Sequence, residues 1–365
     1  MFNLVSLVLL IFPIIQVTVF TIEQSEAKNT ESVSIALGEL HAGETAPDVY
    51  YIILDGYSRE DVLAEQFDFD NSAFTEQLRE LGFYIADCSQ ANYSQTLFSM
   101  SSALNFDYLD NLGTWKQTSD LFDLVQNNAV NQIFKKMGYH TVTFETGYYW
   151  LNMDGVDFYY SLKEQASNPG ESRLGVNSFE AMLWRESAGL LLMDLLSFLP
   201  AQIQPDLEFP NRQHAEQVLY MFDKLADIPL EVPGPKFVYA HIVAPHSPIV
   251  FGPQGEWVSL PEDLDAAGWR RAHTDEIQYV NKRVLEMVRE ILSTSARQPV
   301  IILQGDHGAM VSDQEKHVEI LNAYYLPGVS KTSLYPSITP LNTFRLIFNS
   351  YFNGAYPLLE DHTYL

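Results

Sequence analysis

The chain has 365 residues, of which 47% are hydrophobic, and this length and composition suffice for one large folded domain or two smaller ones and exclude a disordered tail. Its formal net charge of −26, with no basic patch to offset it, excludes nucleic acid as a partner because a phosphate backbone would be repelled. The single cysteine, Cys88, excludes an internal disulfide and a paired-cysteine zinc or redox site, and we expect it to be buried without a chemical role.

The first 22 residues form an uncharged apolar run that predicts a transmembrane helix, because about 20 such residues span a hydrocarbon core of about 30 Å. A cleavable signal peptide is the alternative, but the run lacks a basic start and a small-residue cleavage site. No Lys or Arg precedes the run to orient it, so it is either a single-pass anchor or the last helix of a longer parent. We expect a polar linker at 23–46 and an extracytoplasmic catalytic domain at 47–365, close to a membrane surface.

Four short apolar runs end in polar residues and predict buried strands. They are VYYIIL before Asp55, HTVTFET at 140–146, KFVYAHI at 236–242 and PVIIL before Gln304. Helical patterns lie between them, namely NSAFTEQLRELGF, DLFDLVQNNAVNQIFKKMGY and TDEIQYVNKRVLEMVREIL. This alternation predicts an α/β fold whose mostly parallel sheet is sandwiched by helices, with ligands bound beyond the carboxyl ends of the strands.

Residues from about 150 to 235 break this rhythm, being rich in Tyr and Trp and then strongly apolar in SFEAMLWRESAGLLLMDLLSFLPAQI. Glu180, Arg185, Glu186 and Asp194 argue against a second membrane span, because each charge near a bilayer centre costs about 2.5 to 3.5 kcal/mol. We expect a helical insertion, either a buried or capping helix or a surface that rests against lipid or holds a lipid substrate.

The stretch QANYSQTLFSMSSALN carries five hydroxyl side chains within nine residues. They are Ser94, Thr96, Ser99, Ser101 and Ser102. Serine and threonine favour helix N-termini, where they cap unpaired N–H groups, and this is the structural interpretation of the stretch. The functional interpretation is that one of them is a nucleophile at a helix start, where N–H groups also attract an anion.

Potential metal ligands follow two of the predicted strands. Asp55 comes directly after one strand, and Asp306 with His307 follows another, so in a parallel sheet they share one edge. A carboxylate beside an imidazole suits zinc or manganese, whereas an all-oxygen site suits magnesium or calcium. A strand-end aspartate that caps a turn is the alternative for Asp55 alone.

A pair of histidines, His241 and His246, brackets the turn in HIVAPHSP, with Pro245 and Pro248 restricting that turn. Two imidazoles here suit an anionic group or a leaving oxygen, although a single histidine at a strand end is commonly structural. With the hydroxyls and the metal ligands they meet the requirements of a nucleophilic site. Which hydroxyl is the nucleophile stays open on these grounds.

From Pro47 onward the chain resembles the sulfatase-like branch of the alkaline phosphatase superfamily, which contains lipoteichoic acid synthases and phosphoethanolamine transferases. The resemblance rests on an ordered set of motifs: DVYYIILDGY, ANYSQTLFSMSSALN, HIVAPHSP, DEIQYVNKRV, QGDHG, ILNAYYLPG and TPLNTFRLIFNSYF. It implies that one divalent metal is bound by four residues, Asp55, Thr96, Asp306 and His307. Zinc or manganese is expected, with magnesium or calcium as alternatives.

The same resemblance implies roles for the remaining residues. Thr96 would be the nucleophile, and Ser94 a helix cap or a substrate contact. His241 and His246 would contact the phosphoryl group and the leaving group, and His317 would match a further family histidine. Two departures stand out: no Cys or Ser is followed by x-Pro-x-Arg, as sulfatases require, and Asn281 stands where many relatives place an acid.

We therefore expect a membrane-anchored, metal-dependent phosphotransferase or phosphodiesterase that uses a threonine nucleophile on a membrane lipid or a cell-envelope glycan. A sulfate- or phosphate-ester hydrolase on the same residues is the first alternative. A non-catalytic surface or binding protein that retains the fold is the second.

Overall fold

The computed structural model describes residues 40–43, 46–113, 115, 117–162, 208–261 and 263–365. Within these ranges seven strands form one sheet: β1 (Val49–Leu54), β2 (Tyr84–Ile85), β3 (His140–Phe144), β4 (Phe158–Tyr160), β5 (Lys236–Ile242), β6 (Val300–Gln304) and β7 (Asn322–Tyr325). Their order across the sheet is β2-β7-β6-β1-β5-β3-β4.

The sheet is mostly parallel, as predicted. Strands β6, β1, β5, β3 and β4 run parallel, whereas β7 is antiparallel to β6 and β2 is antiparallel to β7. The four strands predicted from apolar runs are β1, β3, β5 and β6, and they are adjacent. The prediction missed β2, β4 and β7, which have two, three and four residues and are too short for a periodic signal.

Nine α-helices occur in the described ranges: α1 (Glu60–Phe67), α2 (Ser72–Glu80), α3 (Thr96–Ala103), α4 (Thr118–Gln126), α5 (Ala129–Lys136), α6 (Phe209–Glu231), α7 (Ala266–Thr294), α8 (Gln314–His317) and α9 (Pro340–Tyr351). The single helix expected over 120–139 is wrong, because α4 and α5 are separate. The side chain of Asn128 accepts a hydrogen bond from the Asn131 N–H and so starts a new helix within that run.

Helices cover both faces of the sheet. On one face Tyr50, Ile52 and Leu54 belong to a hydrophobic core with buried residues of α6 and α7. On the other face Tyr51 of β1 packs edge-on against Phe344 of α9, with ring centroids 5.0 Å apart. Phe237 of β5 stacks on Phe134 of α5 on that second face, at 4.5 Å. The burial of both faces explains why the central strands are almost uninterrupted apolar runs.

The residues just before α3 are bound to a segment far along the chain. The Tyr364 N–H donates to the Asn92 carbonyl at 2.9 Å, and the Asn92 side-chain amide donates to the His362 carbonyl at 2.9 Å. The rings of Tyr93 and Tyr364 are stacked, with centroids 5.2 Å apart. Residues 362–364 therefore fix the approach to the helix that carries Thr96.

One expectation from the sequence is wrong, and two others concern residues outside the described ranges. The burial predicted for Cys88 is wrong, because its side chain is exposed beyond the end of β2. The predicted anchor at 1–22 and the apolar stretch at 178–203 of the predicted insertion lie outside the described residues. Among the helices that the described ranges contain, none has the length and apolar character needed to cross a bilayer.

Candidate active site

The carboxyl ends of three adjacent strands bring the predicted site residues together. Asp55 directly follows β1, Asp306 lies two residues beyond β6, and His241 is the penultimate residue of β5. Because β6, β1 and β5 are parallel neighbours, these ends meet at one edge of the sheet. Thr96, the first residue of α3, lies at the same edge, with its Oγ1 3.1 Å from His307 Nε2.

Each of the two carboxylates has one oxygen held from behind and one oxygen without a partner. His241 Nε2 donates to Asp55 Oδ2 at 3.1 Å, and the Gly56 N–H donates to Asp306 Oδ1 at 3.1 Å. Asp55 Oδ1 and Asp306 Oδ2 are buried and have no hydrogen-bond partner among the described residues. They lie 3.5 Å and 3.6 Å from His307 Nε2. The free oxygens of both carboxylates thus converge on the same imidazole nitrogen.

His307 is oriented by its other ring nitrogen, since Nδ1 donates to the Gly308 carbonyl at 2.8 Å. Burial alone would lower the pKa of His307, but the negative charges of Asp306 and Asp55 outweigh burial, and the pKa is raised. A proton on Nε2 therefore offsets part of the carboxylate charge. A bound cation would compete with that proton for the same place.

The carboxylate of Asp55 is ionised at neutral pH. Burial alone would raise its pKa, but the hydrogen bond and charge of His241, with smaller contributions from His246 and His307, lower it to about 2. A buried anion with an unpartnered oxygen is costly unless a cation or a donor offsets it. The site therefore favours a positive ligand.

The donor set fits a divalent cation. Two groups of three residues place their ligand atoms within 4.8 Å of one another, namely Asp55 with His246 and His307, and Asp55 with His241 and Asp306. The unpartnered oxygens of Asp55 and Asp306 are further support, because a metal would supply the partner that the protein does not. Mixed carboxylate and imidazole ligands suit zinc or manganese better than magnesium or calcium.

Thr96 is the first residue of α3, and the N-terminus of this helix has no side-chain cap. The N-cap residue is Gln95, with an extended backbone and no side-chain capping hydrogen bond, so the first N–H groups of α3 are not capped by a side chain. The capping role predicted for Ser94 is therefore wrong, because Ser94 precedes the N-cap. Its backbone carbonyl instead faces His317 Nε2 at 3.0 Å. This contact holds in position the segment that precedes Thr96.

His317 lies beside the proposed metal ligands rather than among them. Its Nδ1 lies 3.0 Å from the Ala309 carbonyl and its Nε2 faces the Ser94 carbonyl, so both ring nitrogens are directed at backbone oxygens. Its ring centroid is 4.9 Å from that of His307. His317 thereby links the loop after β6 to the start of α3.

The two histidines of the β5 motif have different surroundings. His246 lies in the loop after β5, where its Nδ1 donates to the Ser247 carbonyl at 2.8 Å and its ring is 5.7 Å from the His307 ring. Its Nε2 is left to face the site. His241, in contrast, is fully buried, with Nε2 on Asp55 and Nδ1 3.3 Å from the Tyr239 hydroxyl.

The sequence analysis missed the residues that support the His246 loop from behind. Glu276 of α7 accepts hydrogen bonds from the N–H groups of Val250 and Phe251, at 2.9 Å and 3.2 Å. His273, three residues earlier on the same helix, is also buried. A histidine and a glutamate three residues apart on the apolar face of a helix were the available signal.

Asn281, which the resemblance marked as a departure from the family pattern, takes part in a hydrogen-bond network away from the carboxylates. The Tyr57 hydroxyl donates to the Asn281 side-chain carbonyl at 2.5 Å, and the Asn281 amide donates to the Asn71 side-chain carbonyl at 2.7 Å. The Asn71 amide completes the triangle by donating to the Tyr57 hydroxyl at 3.0 Å. Asn281 thus connects α7 to the segments after β1 and before α2.

Comparisons with known proteins identify the family and the fold. The family model described as Sulfatase matches residues 47–340. The fold is similar to the C-terminal periplasmic domain of EcEptC from Escherichia coli, in complex with Zn, with 12% identity and a TM-score of 0.54, covering 88% of this chain and 90% of that chain. No curated protein sequence matches the chain.

Two further solved structures share the fold. One is the C-terminal periplasmic domain of phosphoethanolamine transferase EptC from Campylobacter jejuni, with 10% identity and a TM-score of 0.53, covering 87% of this chain and 93% of that chain. The other is a putative sulfatase from Bacteroides thetaiotaomicron, with 12% identity and a TM-score of 0.51, covering 83% of this chain and 71% of that chain.

Glu276 gives a testable pH dependence of stability. Burial raises its pKa to about 8, against the hydrogen bonds from Val250 and Phe251, whereas an unfolded glutamate titrates near about 4.3. The native state therefore keeps a proton that the unfolded state loses, so this contribution to the free energy of unfolding falls as pH rises from about 4.3 to about 8. Glu276→Gln removes the titration. As pH rises from about 6.5 to about 8, we expect the free energy of unfolding of the variant to fall by about 2 kcal/mol less than that of the wild type.

Chemical denaturation across that window measures the difference, and equal losses in the two proteins would contradict the assignment. His273→Gln is the control, because burial lowers the pKa of His273 to about 4. Its contribution has the opposite sign and is lost as pH falls from about 6.5 through about 4. The control should therefore change the acid side of the profile and leave the loss above about pH 6.5 unchanged.

Proposed function

The chain belongs to the sulfatase family, in the sulfatase-like branch of the alkaline phosphatase superfamily, and from that premise we propose that it is a metal-dependent phosphotransferase or phosphodiesterase acting through Thr96. The observation that carries the proposal is the convergence at the sheet edge. Two unpartnered carboxylate oxygens and the Thr96 hydroxyl all lie close to His307 Nε2. The family and the fold support an enzyme, and this geometry supports the nucleophile.

Asp55, Thr96, Asp306 and His307 would hold one divalent metal ion. When bound, the metal would make the threonine oxygen a better nucleophile and offset negative charge on the phosphoryl oxygens. Asp55 and Asp306 would present their free oxygens, while His241 and the Gly56 N–H keep the opposite oxygens in place. The first N–H groups of α3, which no side chain caps, would face the incoming anion.

The first half of the reaction transfers the phosphoryl-linked group to the enzyme. Thr96 Oγ1 forms the new bond to phosphorus as its proton passes to water, and the bond from phosphorus to the leaving alcohol breaks. His246 is placed to give a proton from Nε2 to that alcohol, because its Nδ1 is already held by the Ser247 carbonyl. An acceptor alcohol or water then attacks phosphorus and gives its proton to His246 Nε2, while the bond from phosphorus to Thr96 Oγ1 breaks and Oγ1 regains a proton from water.

A phosphoryl substrate is favoured over a sulfuryl one for two reasons. The chain lacks the Cys or Ser followed by x-Pro-x-Arg from which sulfatases make their nucleophile. One fold neighbour is a phosphoethanolamine transferase, and another was solved in complex with Zn. We propose a membrane lipid or a cell-envelope glycan as the substrate class. An ester hydrolase on the same residues, with water as the only acceptor, is the second candidate.

Metal content tests the ligand assignment. Freshly purified protein should contain about one equivalent of zinc or manganese by elemental analysis, because four donors converge on one place. The double variant Asp306→Asn with His307→Ala should lose it. Asp263→Asn with His41→Ala changes the same residue types at exposed positions and should retain it. Full metal content in the first double variant would refute the site.

The identity of the nucleophile is tested by Thr96→Ala. With a phosphodiester probe, we expect turnover to fall at least about 1,000-fold, because no other hydroxyl can replace the nucleophile, while Thr96→Ser retains part of it. Ser94→Ala should stay within about 10-fold of the wild type, since only the backbone carbonyl of Ser94 makes a contact in the site. Mass spectrometry of peptides from a slow substrate should place the adduct on Thr96, and an adduct on Ser94 would reverse the assignment.

We also propose that the apolar run at 1–22 anchors the enzyme in a membrane, with the domain at 47–365 outside the cytoplasm. Carbonate washing should leave the full-length chain in the membrane pellet, because a transmembrane helix resists extraction. A variant that lacks residues 1–22 should appear in the supernatant. Recovery of a shortened wild-type chain in the supernatant would instead indicate a cleaved signal peptide.

A further inference from the structure

His241 lies in a buried row of three polar groups that starts at Tyr239 and ends at Asp55. Tyr239 and His241 are two residues apart on β5 and so point to the same face of the sheet, and neither has any exposed surface. The Tyr239 hydroxyl is 3.3 Å from His241 Nδ1, and His241 Nε2 is 3.1 Å from Asp55 Oδ2. The ring of His241 is therefore held at both nitrogens.

The hydroxyl of Tyr239 decides which nitrogen of His241 carries hydrogen. Burial raises the pKa of Tyr239 well above its ordinary value, so the hydroxyl keeps its proton. Within the described residues it makes no other hydrogen bond, and a buried donor without an acceptor is costly. The proton must therefore point at Nδ1, which accepts. The neutral ring then has its hydrogen on Nε2 and donates it to the carboxylate of Asp55.

This tautomer decides whether His241 can be a metal ligand, a question that distances alone leave open. His241 is close enough to Asp55 and Asp306 to be a metal ligand, since all three ligand atoms lie within 4.8 Å. A histidine binds a metal through a nitrogen lone pair, however, and the Nε2 that faces the carboxylates has none in this tautomer. The same nitrogen cannot both donate to Asp55 and bind a cation.

We propose that His241 is a positioning residue and not a metal ligand, held by Tyr239 as the Nε2–H tautomer that donates to Asp55 Oδ2. This leaves Asp55 Oδ1 to face the cation, just as the Gly56 N–H occupies Asp306 Oδ1 and leaves Oδ2. The inference rests on the proposed function, because it assigns His241 relative to the proposed metal site. It adds Tyr239, which is fully buried behind His241, to the residues that set metal affinity.

Histidine side-chain NMR tests the tautomer directly. The ring nitrogens of His241 would be recorded in the 15N-labelled full-length protein, first without metal and then after addition of Zn²⁺ alone, with His241→Gln used to assign the signals. We expect Nδ1 to be the unprotonated nitrogen and Nε2 the protonated one in both states. An Nε2 that loses its hydrogen when Zn²⁺ binds would show that His241 is a ligand and would overturn the proposal.

Two pairs of variants test the positioning role through the dissociation constant for Zn²⁺, measured by chelator competition. Tyr239→Phe should weaken binding by roughly 3- to 10-fold, because the buried Nδ1 of His241 loses its donor and the imidazole ring is no longer held in its orientation. Tyr51→Phe is the matched control: Tyr51 is equally buried on the same face, but its hydroxyl donates to Gln304 at 2.7 Å. Tyr51→Phe should leave the dissociation constant unchanged, and equal effects of the two variants would refute the role of Tyr239.

His241 itself is tested by replacing the ring with and without a donor. His241→Phe should weaken Zn²⁺ binding by about 10- to 100-fold while the stoichiometry at saturation stays the same, because no ligand has been removed. His241→Gln keeps an N–H near Asp55 and should recover much of the affinity. A lower stoichiometry in both variants would identify a lost ligand and overturn the inference. Absence of Zn²⁺ binding by the wild-type protein would instead refute the proposed function, whereas the tautomer without metal would still be readable.

Discussion

The placement of two carboxylates, side by side and almost fully buried, is the constraint on which the site depends. Two like charges in such a place raise each other's free energy, and burial adds to the cost. The chain offsets this cost by giving each carboxylate one donor from behind, His241 for Asp55 and the Gly56 N–H for Asp306. The raised pKa of His307 shows that the offset is incomplete and that the site draws positive charge. Because the chain as a whole carries a net charge of −26, we expect the remaining negative charge of the site to be neutralised by a bound cation.

The residues of the candidate site are held by two kinds of structural element, strands of the sheet and a loop. Asp55, Asp306 and His241 lie on or next to central strands that are buried on both faces, so their positions are rigid. His246 lies on a loop whose backbone is held by Glu276 of α7. The proposed metal ligands on the strands therefore belong to the sheet edge, whereas the proposed general acid lies on a loop.

The residues that lie at strand ends could be predicted from the sequence, whereas the residues that hold them in place could not. VYYIIL and PVIIL are strongly apolar because both faces of β1 and β6 are covered, and the first polar residues after them are at the sheet edge by necessity. The sequence carries no comparable signal for the Gly56 N–H, which is a backbone group. Tyr239 looks like an ordinary strand residue, and only its distance to His241 Nδ1 reveals a role. Likewise, the end of α4 and the start of α5 depend on two side-chain hydrogen bonds of Asn128, one to the Val125 carbonyl and one from the Asn131 N–H, which periodicity does not show.

The binding of residues 362–364 to Asn92 and Tyr93 has a consequence for the order of folding. These contacts join parts of the chain about 270 residues apart, and closing so long a loop is slow relative to pairing neighbouring strands. During synthesis, the sheet from β1 to β6 can form before residues 362–364 leave the ribosome, but the segment that leads to Thr96 cannot be fixed until they do. Thr96, the proposed nucleophile, is thus among the last parts of the site to reach its final position. A nascent chain would hold an assembled sheet and an incomplete site until its synthesis had passed that point.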